Sequence, residues 1–118
     1  MSMEVGMDDS ILNSIKNIIN VNEEDTVFDK EIIVAINTAF FTLYQIGVGY
    51  DSPFTINDST AVWSDFIENI DELAMVKSYV GLKTRLLFDP PTSSPLMDAI
   101  KNQIAEYEWR LNVEADRS

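Results

Sequence analysis

The apolar positions of the chain keep a helical rhythm with few breaks. After Asp8-Asp9-Ser10, which can cap a helix, Ile11, Leu12, Ile15, Ile18 and Ile19 recur three and four residues apart. That spacing predicts a first helix. Val21 to Thr26, VNEEDT, is a polar break. A second helix follows, with Thr26 or Asp29 as its cap. Ile32, Ile33, Ile36, Phe40, Leu43 and Ile46 form its stripe, and Ala35 and Ala39 let a neighbour approach closely. Its apolar character reaches around the cylinder, which suits a central position. Gly47 and Gly49 end it.

Tyr50 to Asp58, YDSPFTIND, has turn residues around Phe54-Thr55-Ile56. It reads as a loop with a short extended piece, either protruding or folded as a short β-hairpin. Asp58, Ser59 or Thr60 then caps a short third helix carrying Val62, Trp63, Phe66 and Ile67. Asp71 opens a fourth, where Leu73, Val76, Val80 and Leu87 make the main stripe with Leu82 and Leu86 beside it. Gly81 in its middle costs about 1 kcal/mol against Ala, a cost that close packing would explain.

The run Leu86–Ile100, LLFDPPTSSPLMDAI, turns a corner. Pro90 disfavours helical geometry at Asp89, so the fourth helix stops near Phe88. Ser94 followed by Pro95 fits an N-cap and a first helical position, where a missing N–H does no harm. Asp98 places a negative charge near the positive end of the new helix. The fifth helix shows Leu96, Met97, Ile100, Ile104, Tyr107 and Leu111, and Glu106 can pair with Arg110 four residues on. Phe88, Asp89, Pro90, Pro91, Ser94 and Pro95 thus form a rigid joint, with Phe88 as the apolar plug that fixes its angle. The expected fold is mainly α: a single bundle of about five helices, with a protruding loop or short β-hairpin between helices two and three. It fills one domain over residues 1–118, with 1–7 flexible and 114–118 a frayed tail.

Composition narrows the chemistry. The 118 residues contain no cysteine and no histidine. Disulfides, thiolate nucleophiles, histidine-ligated metals and the commonest general base are therefore unavailable. The net charge is −12, and residues 1–72 hold all of it, with 14 acidic side chains against 2 basic ones. Such a surface argues against gripping a phosphate backbone or an anionic membrane. It suits a basic partner, a hydrated lining or mimicry of a nucleic acid. The N-terminal residues lack the basic region and apolar run of a secretory signal. Ile32 to Tyr50 is 19 residues without a charge, long enough to raise the question of a membrane span. Asn37, Thr38, Thr42, Gln45 and the flanking acids favour a buried helix instead.

Other patterns have simpler explanations. Gly47-Val48-Gly49 follows a helix rather than a strand, so it reads as a helix end and not a dinucleotide loop. Asp65, Glu68 and Glu72 are spaced to share a helix face, where a hard cation or a two-carboxylate hydrolase would need them. A solvated acidic face has the same spacing, and Ile70-Asp71 breaks the helix. No cofactor is expected. Trp109 falls off the core stripe that Tyr107 follows, so Trp109 and Arg110 are candidates for a partner surface. Phe54 and Ile56 in the loop are candidates too, since apolar loop residues either tuck back or dock on a neighbour.

The order of several short runs carries a resemblance. Trp63-Ser64-Asp65-Phe66 is followed by Val76-Lys77-Ser78-Tyr79-Val80, then by Leu82 to Pro91 (LKTRLLFDPP), then by Glu108-Trp109-Arg110-Leu111-Asn112. This order resembles the head–tail connector (adaptor) proteins of long-tailed bacteriophages of Gram-positive hosts. LLFDPPTSSP is the most specific part, and the strong likeness covers a little under half the chain. Thr84 stands where the family pattern has a bulkier β-branched apolar residue, and Gly81 also departs from it. The resemblance implies a virion structural protein without catalysis, located in the neck after assembly in the host cytoplasm. It implies a homo-oligomeric ring, usually of twelve copies, beneath the portal protein. Such a ring extends the channel for genomic DNA and carries stopper or tail-completion proteins, with the C-terminal region toward the portal. The residues taken alone also fit an acidic binding module that mimics DNA or inhibits a basic protein. A hydrolase built on Asp and Glu alone would need a carboxyl group with a strongly raised pKa in a cleft.

Overall fold

Ser10 opens the first helix as its sequence suggests. Its backbone is extended and its hydroxyl accepts the Asn13 N–H at 3.2 Å. The computed structural model describes residues 6–50 and 52–117. It contains α1 (Ile11–Ile18), α2 (Asp29–Gln45), α3 (Ile70–Phe88) and α4 (Ser94–Arg117), with a 3₁₀ turn at Trp63–Asp65. Most of the expected flexible lead, residues 1–5, lies outside the described part, as does Ser118. Met7 packs partly on the core, and its carbonyl accepts the Ser64 N–H at 2.8 Å. At the other end α4 continues through Glu114 to Arg117, where the sequence suggested a frayed tail.

The core lies where α1 and α2 meet α3. Ile11, Leu12, Ile15, Ile32, Ile36, Phe40, Leu43, Leu73, Val76 and Val80 are all at most 1 % exposed. Trp63 is also fully buried, and its ring meets Phe40 at 6.3 Å. The Trp63 indole donates to the Ser14 hydroxyl at 3.1 Å. α4 closes the bundle through Ile100, Ile104 and Leu111. Gly81 earns its place by contact. A Cβ there would lie 2.7 Å from Cγ2 of Ile18, so α1 and α3 approach more closely than alanine permits. Gly47 ends α2 with φ +92°, a conformation that favours glycine.

Four expectations change. The third helix shrinks to the single turn at Trp63–Asp65, leaving four α-helices instead of about five. The cause is the preceding segment: Val62 forms an antiparallel bridge with Ser10, and the Ala61 carbonyl accepts the Ile11 N–H at 2.9 Å. An extended backbone there leaves no room for a longer helix. The hairpin is also absent, since among the described residues there is no β-strand. Asn37 explains why. From mid-α2 its side-chain amide donates to the Ile56 carbonyl at 3.0 Å and accepts the Ile56 N–H at 2.8 Å. The loop is thus paired as a strand would be, by a side chain. Leu87, expected in the α3 stripe, is 50 % exposed, and Thr84 and Tyr79 are buried instead. Finally, Asn69 caps α3 two residues before Asp71, accepting the Asp71 N–H at 2.9 Å.

The VNEEDT break is a built loop. Lys16 is buried to 1 % exposure, and its ammonium donates to the carbonyls of Glu23 (3.0 Å) and Asp25 (2.7 Å) and to the Asp29 carboxylate (2.8 Å). Three acceptors match the three ammonium donors. Asp29 is thereby engaged with Lys16, and the N-cap of α2 is Phe28, which makes no side-chain cap hydrogen bond.

Candidate interface surfaces

The proline corner ends α3 as the sequence requires. Asp89 leaves helical geometry at φ −146° and ψ 67°, while its N–H still reaches the Arg85 carbonyl at 2.9 Å. The cap of α4 is Ser93, one residue before the expected Ser94. Its hydroxyl accepts the Leu96 N–H at 3.4 Å, and its carbonyl accepts the Met97 N–H at 2.9 Å. Ser94 and Pro95 therefore occupy the first turn, where an N–H has no intrahelical partner to lose. Phe88 is half-buried and meets Phe28 edge-on at 5.7 Å. Phe88 is thus tied to the start of α2.

The four candidate contact residues separate into two pairs. Phe54 and Ile56 turn inward. Ile56 is 1 % exposed, and the Phe54 ring packs on Phe40 (5.1 Å) and Phe66 (5.3 Å). They hold the loop to the core and are not a free docking surface. Trp109 points out at 67 % exposure. Arg110 forms the expected pair with Glu106 on the open side of α4.

Beneath α4 lies a polar tie that sequence reasoning missed. The fully buried Tyr79 donates its hydroxyl to Glu108 at 2.8 Å, and Lys83 approaches the same carboxylate oxygen at 3.9 Å. Burial, and then the Glu108 carboxylate, push the tyrosine far above its usual range, so it remains a neutral donor. Asn112 adds a bond from α4 to the Ile46 carbonyl at 3.3 Å. Tyr79, Lys16 and Asn37 carried one legible signal: each is a polar group set among apolar helix positions.

The carboxylate trio does not assemble on one helix. Asp65 accepts the Val62 N–H at 3.0 Å, Glu68 lies in the connecting segment, and Glu72 sits in the first turn of α3. Among the described residues, no group of three or more acidic side chains is placed to hold a metal ion. Glu72 lines an open cleft of about 290 Å³ with Asn69, Asp71, Met75, Leu111 and Glu114. Burial, with Glu114 nearby, raises its carboxyl above the ordinary value. Among the described residues, no helix is long and apolar enough to cross a membrane.

A family model described as Phage connector protein matches residues 11–118. The match starts at the first residue of α1 and takes in every helix, the corner and Trp109. The chain belongs to the phage connector protein family. Searches of curated proteins and of solved structures gave no match. Membership assigns this connector protein a structural role in the phage particle.

Proposed function

We propose that this connector forms a ring of twelve copies beneath the portal protein, in the neck of a long-tailed phage of a Gram-positive host. The ring extends the DNA channel and carries the stopper or tail-completion protein. The observation that carries this reading is the family match across all four helices. Two physical features support it. A ring repeats any error in subunit angle at every interface, and two prolines leave the α3–α4 joint little freedom to lose. A net charge of −12 lets DNA slide past a carboxylate-lined wall without sticking. The exposed Trp109, beside Arg110, is the portal-facing anchor in this arrangement.

The test mixes the protein with cognate portal rings and images the product in negative stain. A second ring stacked coaxially on the portal is the expected result, and it gives the copy number. A folded monomer that ignores the portal at high concentration would overturn the reading and favour an acidic inhibitor of a basic protein. Trp109→Ala should weaken portal binding while leaving Tm unchanged, because the indole is largely outside the core. Unchanged binding would remove Trp109 from the portal-facing surface.

A further inference from the structure

α2 has the sequence of a helix covered on all sides, yet the described residues cover only one. Ile32, Ala35, Ile36, Ala39, Phe40 and Leu43 face the core. On the open side, Val34 is 66 % exposed, Phe41 50 % and Tyr44 36 %. The Phe41 and Tyr44 rings lie 6.2 Å apart. Thr38, between Val34 and Phe41, donates its hydroxyl to the Val34 carbonyl at 2.9 Å, so its donor is satisfied within the helix. No Asp, Glu, Lys or Arg occurs from Ile32 to Tyr50. A helix that is apolar all round is ordinarily buried all round, and an outward strip of this kind marks a contact.

Charge selects the occupant. The strip offers no carboxylate to a basic partner and no cation to an acidic one. A second copy of the chain brings its own −12 and is repelled wherever acids face acids. The uncharged strip is where two such copies can touch without opposing like charges. We propose that the Val34–Phe41–Tyr44 face of α2 is the lateral contact with a second copy of this chain; this deepens the ring reading above and rests on it. Ten residues of helix span about 15 Å, so the strip is the apolar centre of a larger contact. A ring contact is head-to-tail, so the strip meets a different surface of its neighbour.

The experiment compares the wild-type protein with Phe41→Asp, each incubated with portal rings. In parallel, the photo-crosslinker benzoylphenylalanine is placed at position 41. Phe41→Asp should keep the wild-type circular dichroism and melting profile, since Phe41 faces outward. It should weaken each lateral contact at least about tenfold and lose the ring. The photoadduct should join two copies of the chain. If Phe41→Asp forms rings as the wild type does, or the adduct falls on the portal, the lateral contact is wrong while the connector reading stands. If the wild type itself forms no ring, both readings fall. Should Phe41→Asp fail to fold, the adduct decides, because it keeps an aromatic side chain at that position.

Discussion

Thr84 is fully buried in α3, and among the described residues its hydroxyl meets no hydrogen-bond partner. A buried hydroxyl left unpaired costs about 1–3 kcal/mol. Thr84→Val keeps the branched shape and removes that cost, so we expect a gain of about 1 kcal/mol, seen as a rise of a few degrees in Tm. A fall in Tm would mean that the hydroxyl is paired in solution. Glu72 gives a pH-dependent case. Its carboxyl is raised above the ordinary 4.5 by burial and by Glu114, so the folded state holds that proton more tightly than the unfolded chain. Its favourable contribution is complete below the unfolded pKa and disappears as pH rises through the folded one. Ionised Glu72 is therefore a burden at neutral pH. Glu72→Gln should raise Tm at pH 7, and the advantage should shrink to nothing as pH falls below 4.5. An advantage that persists at acid pH would remove the charge from the explanation. At this scale the sequence was only partly legible. Asn37 and Tyr79 are polar groups among apolar helix positions, but their partners lie 19 and 29 residues away, and nothing local points to Ile56 or Glu108.

Among the elements, the legible ones are those fixed by local rules. Proline stops α3 within a residue of where steric exclusion puts it, and Gly47 ends α2 where a positive φ is needed. The start of α4 differs by one residue from its sequence expectation because two serines stand side by side, and the hydrogen bond to Leu96 tells them apart. That difference is measurable. Ser93→Ala should cost about 1 kcal/mol as the loss of a cap, whereas Ser94→Ala should stay within about 0.5 kcal/mol. Paired urea titrations of the two variants would read this directly, and the reverse order would return the cap to Ser94. The third helix was misread for a different reason. Val62, Trp63, Phe66 and Ile67 have helical spacing, but the bridge from Val62 to Ser10 holds the entry extended, so tertiary pairing overrides the local pattern. In the Phe54–Ile56 loop no strand forms, and Ile56 still pairs its backbone N–H and carbonyl. Its partner is a side chain on α2 rather than a second strand.

For the molecule as a whole, the single helical bundle was written in the periodicity, and the family resemblance in the order of short runs from Trp63 to Asn112. What could not be read was which half of α2 stays open, because coverage of a helix depends on what assembles around it. In the proposed ring, that openness, set against a charge of −12, gives a salt dependence of definite sign. Each copy repels the next over a distance set by the Debye length, about 30 Å at 0.01 M salt and about 8 Å at 0.15 M. The apolar strip loses nothing as salt screens the carboxylates, so the attraction stays while the repulsion fades. Self-association followed by sedimentation velocity should therefore strengthen between about 10 mM and about 150 mM NaCl. An acidic module clamped on a basic protein behaves in the opposite way, because its attraction is itself the screened term. Self-association that weakens with salt would mean that opposite charges, and not the uncharged face of α2, hold the copies together.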